Sequence, residues 1–176
     1  WLTSFIANKV FYDKPLKKDA VAIDGAPVAV GDAGPAKPEL PEPVMAMLAE
    51  ADIERGAKIS KACAACHSFN QGGPVKQGPN LHNIVGSDKG IQGGFKYSDA
   101  LASFGGKWDY DALNFFFWKP KKYIPGTKMN FAGLKKPKDR AALIMWLREQ
   151  GSQSYALPTE ADIQAEEARF NPEPEE

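Results

Sequence analysis

Residues 61–69, KACAACHSF, hold the only two cysteines of the chain, Cys63 and Cys66, with His67 directly behind them. Three chemistries use a Cys-x-x-Cys pair in this way: a redox disulfide, part of a zinc site, or covalent attachment of a c-type haem. A thioredoxin-type pair belongs among alternating strands and helices, and none surround this stretch. A closed zinc site takes four ligands. Cys63, Cys66, His67 and His82 could supply them, but the adjacent Cys66 and His67 leave a helix in different directions and chelate one ion badly. Haem attachment uses the whole run, with two thioethers to the vinyl groups and the imidazole on one face of the iron. It also leaves no spare thiol, as suits a protein exported to an oxidising compartment. The haem reading is preferred.

Such an iron needs a sixth ligand or an open face. The candidates are His82, Met45, Met47, Met129 and Met145. Met145 lies in ALIMWL, where a methionine fills a core. Met45 and Met47 precede the cysteines and would have to fold back, and His82 follows too closely. Met129 lies in YIPGTKMNF, a loop opened by Pro125 and Gly126 and shielded by Phe131 and the FFFW run. A loop can bring a side chain up to a planar group where a helix cannot. His67 and Met129 are the preferred axial pair, and a thioether opposite an imidazole raises the reduction potential.

The rest of the chain frames this site. Its 176 residues suit one domain plus extensions, and 43% hydrophobic content is enough for a core. Formal net charge is zero, so nothing general draws it to nucleic acid, and there is no Gly-rich phosphate loop. The first residue is Trp1 rather than Met, and the chain is read as cut from a longer one. Residues 1–12, WLTSFIANKVFY, carry an apolar stripe followed by lysines. Twelve residues are too few to span a bilayer, which takes about 20. They are expected to be the end of a membrane anchor or an interfacial helix. Residues 13–43 hold six prolines without helical or strand period and are expected to be a flexible linker. Its ends would lie about 30 Å apart as a coil and about 90 Å apart when fully extended.

Residues 44–156 read as the folded domain. A helical pattern starts after Pro43, and Asp52 is the expected N-cap of a second helix running into the cysteines. A short helix is possible at YSDALASF, another over WDYDALNFFFWK, and a last one over PKDRAALIMWLREQG, with Pro137 at its start and Gly151 past its end. Nothing alternates over more than four residues, so the fold should be mainly α with long loops. Residues 157–176 hold seven acids against one arginine and are expected to be a solvated acidic tail, with one frayed helix around Glu160 to Phe170.

Over residues 51–150 the sequence resembles the class I c-type cytochromes, in their mitochondrial-like branch. The likeness rests on CAACH (63–67), GPNLHNIVG (78–86), FKYSDA (95–100), Trp108, and PKKYIPGTKMNFAG (120–133), closed by the LIMWL helix. The apolar start and Pro/Ala tether are similar to those of the membrane-anchored cytochromes of bacterial respiratory chains. The resemblance implies three to five helices wrapped around one covalent haem c, held at Cys63 and Cys66 with axial ligands His67 and Met129. It implies that the Pro79 carbonyl accepts the other N–H of His67, that Tyr97, Trp108 and Thr127 hold a haem propionate, and that Leu81, Phe95 and Leu113 pack around the macrocycle. Three departures thin the polar surroundings. Ser87 stands where the family often has an arginine near the buried propionate. Phe116 stands for a tyrosine that bonds the ligand methionine, and Leu101 for an asparagine. Together they leave the direction of any potential shift open. Ser60 or Ile59 stands where an aromatic usually packs the first helix on the last.

A six-coordinate iron passes electrons and makes no bonds, so the resemblance implies a carrier and not an enzyme. Its donor would be a cytochrome bc complex and its acceptor a haem–copper oxidase, with the membrane reached through the N-terminal anchor. The haem domain would face the periplasm from the bacterial cytoplasmic membrane. Residues 107–140 contain nine basic and three acidic residues, and the Lys119–Lys136 region is the expected docking patch for acidic partners. A haem domain fixed as a subunit of a larger oxidase or dehydrogenase is the alternative.

Overall fold

A computed structural model describes residues 39–170. The expected membrane segment at 1–12 and residues 13–38 of the expected linker lie outside the described residues. Six α-helical segments follow in chain order: α1 (Ile53–Cys63), α2 (Asp99–Ala102), α3 (Tyr110–Trp118), α4 (Pro120–Tyr123), α5 (Pro137–Arg148) and α6 (Glu160–Phe170), preceded by a 3-10 turn at Met45–Met47. Among the described residues there is no strand, only an isolated antiparallel bridge between Asp88 and Lys107. The mainly α fold with long loops is as the sequence predicts.

The helix ends follow local chemistry. The Asp52 carboxylate accepts the Arg55 N–H at 2.9 Å and starts α1. Asp109 does the same for Ala112 at 2.7 Å and starts α3. A side-chain oxygen at this position satisfies one of the orphan N–H groups of a first turn. Pro137 opens α5, where its missing N–H costs nothing. The helix expected straight after Pro43 is only the 3-10 turn, because Asp52 is extended (φ −74°, ψ 96°) and interrupts any continuous helix into α1.

The first and last domain helices, α1 and α5, cross at Gly56. A Cβ there would lie 2.2 Å from the Ala142 carbonyl oxygen and 2.6 Å from Trp146 Cβ, so the two backbones touch. Ser60, one turn on, is buried as well. The aromatic missing from α1 comes instead from the following loop: Phe69 meets the Trp146 ring edge-on at 4.8 Å. Leu48, Ile124, Leu143, Ile144 and Leu147 fill the core beside this crossing.

Two boundaries differ from expectation. Residues 39–43 are a strap packed on the domain, not part of a free linker. Pro41 is fully buried, and Glu42 offers its carbonyl and carboxylate to Arg140 Nη2 at 3.1 and 2.9 Å. Arg140 is itself fully buried, and all five of its N–H groups are used. Nε donates to Asn114 (2.6 Å), and Nη1 donates to the Leu134 and Lys135 carbonyls (2.9 and 2.8 Å). One guanidinium thus ties α5 to α3, to the strap and to the end of the 124–136 loop, and its charge is paired with Glu42.

The second difference is the acidic tail. The helix expected around Glu160 to Phe170 is present, but it is packed on the domain rather than frayed in solvent. Glu166 is 1% exposed and accepts the Val44 N–H (3.1 Å) and the Met45 N–H (2.7 Å). Arg169 forms a two-pronged pair with Asp111 at 2.9 and 2.7 Å, and Phe170 stacks on Phe115. The sequence pattern shows only the acids; the partners lie more than fifty residues away. Replacing Glu166 by alanine leaves two N–H groups of the 3-10 turn without acceptors. It is expected to lower the unfolding free energy by about 2 kcal/mol, measured by denaturant titration, while Glu167→Ala, on an exposed position, changes it little.

Candidate functional site

A cavity of about 420 Å³ lies at the centre of the domain, walled by the C-terminal end of α1, by α3, by α5 and by three loops. Cys63 and Cys66 both line it, and they form no disulfide with each other. Burial pushes the Cys63 thiol up. His67 follows immediately, and the loop 76–81 is laid against it. The Gly78 N–H reaches the Cys66 carbonyl at 2.8 Å, and the Leu81 N–H reaches the Ser68 carbonyl at 2.8 Å. Asn80 braces this loop by donating to Ser68 Oγ and to the Asn70 and Gly73 carbonyls.

The imidazole is fixed on two sides. A Cβ at Gly78 would sit 2.3 Å from His67 Cε1, so glycine is what lets the ring lie flat on the backbone. Nδ1 lies 2.7 Å from the Pro79 carbonyl oxygen. A carbonyl can only accept, so Nδ1 carries the proton and a neutral ring keeps its lone pair on Nε2. Burial pushes the His67 pKa down, the Pro79 bond opposes this, and the nearby Lys76 charge adds to it. The neutral, ligating form is favoured.

Of the five candidates for an opposing ligand, Met129 alone lines the cavity. His82 lies against Gly151, Met145 is buried in α5, and Met45 and Met47 sit in the 3-10 turn. The Met129 loop is pinned at several points. Thr127 Oγ1 accepts the Met129 N–H at 3.3 Å, and Lys128 Nζ donates to the Lys96 and Tyr97 carbonyls at 2.6 and 3.1 Å. Beyond it the Leu134 N–H meets the Phe117 carbonyl at 2.7 Å. Gly133 (φ +91°) passes so close to α3 that a Cβ would lie 1.8 Å from the Trp118 carbonyl oxygen.

Pro79, Tyr97, Trp108 and Thr127 line the same cavity, as do Leu81, Phe95 and Leu113. Trp108 and Thr127 are buried, and burial pushes the Tyr97 phenol up. Phe116 and Leu101 are also in the wall, so two positions that resemble polar ones are apolar here. Ser87 stays outside it, its hydroxyl donating to the Ile84 carbonyl at 2.8 Å. The donor set fits a covalently held iron porphyrin: two thiols, one imidazole nitrogen held in the ligating tautomer, one thioether, and mostly apolar walls. Among the described residues no cluster of three His, Cys, Asp or Glu could hold a metal ion, which removes the four-ligand zinc reading.

The lysines divide into two sets. Lys119 and Lys122 both pair with Glu39 of the strap and lie over the Trp118 ring. Lys128 is part of the cavity lining, Lys121 reaches Asn130 of that lining at 2.8 Å, and Lys76 holds the Ala64 carbonyl beside the cysteines at 2.8 Å. Of these lysines Lys128 alone lines the cavity, and Lys121 is tied to a residue that does.

The cytochrome c family model matches residues 53–151. A "Cytochrome c homolog" of Bradyrhizobium diazoefficiens is 41% identical over 160 residues, covering 90% of this chain and 87% of that one. A "Cytochrome c homolog" of Rickettsia bellii is 37% identical, covering 84% of each. A "Cytochrome c" of Ulva intestinalis is 50% identical over 99 residues, 56% of this chain and 89% of its own length. The first match is long enough to reach well into residues 1–38, whereas the algal one corresponds in length to the domain alone.

Gly78→Ala is expected to push the His67 ring off its seat. Unfolding free energy should fall by about 1–3 kcal/mol, and the share of purified protein carrying covalent haem should drop, as read by a denaturant titration and a pyridine haemochrome assay.

Proposed function

The chain belongs to the cytochrome c family, and from that premise we propose that it is a membrane-tethered carrier passing single electrons from a cytochrome bc complex to a haem–copper oxidase. Members of the family carry electrons and bind covalently attached haem c; they are not enzymes. The observation that carries the proposal is the cavity itself, with His67 on one lining element and Met129 on another.

In this reading Cys63 and Cys66 would hold the haem covalently, and His67 and Met129 would hold its iron. When bound, the haem supplies the one-electron couple. The chain does the rest. The Pro79 carbonyl fixes the ring and tautomer of His67 and makes it more basic. Arg140, through Leu134 and Lys135, and the Phe117 carbonyl, through Leu134, hold the far end of the Met129 loop. Tyr97, Trp108 and Thr127 serve as the polar contacts to a propionate. With both ligands held by separate braces, little has to move when the charge changes, and a closed coordination shell excludes bond chemistry.

The tether would be residues 13–38, since the strap at 39–43 is already packed. Its full extension is about 80 Å at polyproline rise. The long match to the Bradyrhizobium relative supports a shared N-terminal region. Among the described residues no helix is long and apolar enough to cross a membrane, so the anchor would lie in residues 1–12 and whatever precedes them. The domain would then face the periplasm. The partner surface would be Lys128 of the cavity lining with Lys121 and Lys76 beside it, rather than the whole Lys119–Lys136 region, because Lys119 and Lys122 already share the Glu39 carboxylate.

Stopped-flow mixing with a detergent-solubilised bc complex and a haem–copper oxidase tests this. The carrier should be reduced by the first and oxidised by the second, with rates that fall as salt rises. Lys121→Glu with Lys128→Glu should slow both steps by about tenfold at low salt, and Lys119→Glu much less. Failure to exchange electrons with either partner would refute the proposal. Exchange only within an isolated stoichiometric complex would favour a fixed subunit.

A further inference from the structure

Lys89 is 8% exposed, which is unusual for a lysine and calls for a reason. Its position is set by backbone pairing. The Gly86 N–H meets the Trp108 carbonyl, the Trp108 N–H meets the Ser87 carbonyl, and the Lys89 N–H meets the Gly106 carbonyl, each at 2.8 Å. The side chain then lies across an aromatic cage. Nζ is 5.3 Å from the ring centres of Phe104 and Trp108 and 5.8 Å from that of Tyr123. Such rings attract a cation through their negative faces.

No carboxylate neutralises it at contact. Among the described residues Lys89 makes no ion pair. The acids that face it are Asp109 and Asp111, and both are engaged elsewhere. Asp109 caps Ala112 at 2.7 Å, and Asp111 holds Arg169 through both oxygens. Burial lowers the Lys89 pKa and the two acids oppose that. Trp108 lines the cavity and Lys89 does not, so the ammonium lies against a ring that is itself part of the cavity wall.

We propose that Lys89 is a positioning residue that places an unpaired positive charge behind Trp108 and thereby raises the reduction potential of the haem. Adding an electron to a group in the cavity makes it more negative. A nearby cation screened by little water stabilises that state over the oxidised one. The proposal rests on the reading of the cavity as the haem site.

The test is an equilibrium redox titration of the holoprotein against a dye of known potential, for the wild type, Lys89→Met, Lys89→Gln and Lys89→Arg. The two neutral variants should lower the electron-exchange equilibrium constant by about threefold or more, roughly 30 mV at about 59 mV per tenfold for one electron. Lys89→Arg should stay near the wild-type value. Potentials that ignore the charge, or an arginine variant that shifts as far as the methionine one, overturn the proposal, since packing alone would then be at work. Lys89→Gln keeps the test open if Lys89→Met does not fold. Wild-type protein without haem absorbance would refute the reading of the cavity; haem present with charge-independent potentials would refute this inference alone.

Discussion

A cavity of about 420 Å³ with largely apolar walls is the constraint on which the rest of the structure depends. Walls of that kind lack packing partners unless something apolar lies between them. The fold is therefore suited to an occupant that fills the space and is tied in place. Each wall supplies a part of that tie. α1 ends in the Cys63 thiol, the turn after it presents the Cys66 thiol and the imidazole of His67, and the long loop between α4 and α5 presents the thioether. Close backbone contacts at Gly56, Gly78 and Gly133 let these elements approach to within distances at which a Cβ would collide.

The parts of this arrangement that were legible in the sequence are the local ones. Asp52 ahead of an apolar run, Pro137 opening a helix and the PGTKM loop each carry their meaning within a few residues. The Cys-x-x-Cys-His run states its chemistry outright. The resemblance to the class I cytochromes extends this to residues scattered along the chain, and the structure brings Pro79, Tyr97, Trp108 and Thr127 to one cavity with His67 and Met129. What stayed hidden depends on long-range pairing. Glu166 looks like one more acid in a charged tail, and only its contact with Val44, 122 positions earlier, makes it a cap. Residues 39–43 look like the end of a proline-rich linker, because nothing local announces that Arg140 will bind Glu42. Nothing local marks Lys89, whose burial comes from three rings at positions 104, 108 and 123.

The zero net charge conceals an uneven distribution that matters for electron carriage. Lys119 and Lys122 share the carboxylate of Glu39, whereas Lys76, Lys121 and Lys128 make no ion pair among the described residues. Charges at the mouth act on encounter and are screened by salt. A charge held against Trp108 would act on the couple itself. One set of lysines can thus tune rate and another tune potential without interfering, provided that they sit on different sides of the cofactor space.

The claim at the centre of this account is that the cavity holds a haem iron closed by His67 and Met129. The visible spectrum of the purified protein tests it most directly, oxidised and then reduced with dithionite, with and without carbon monoxide. The account predicts sharp low-spin bands on reduction, a weak far-red band in the oxidised form from methionine–iron ligation, and no change with carbon monoxide. A high-spin spectrum that shifts when carbon monoxide is added would contradict it, because the face assigned to Met129 would then be open.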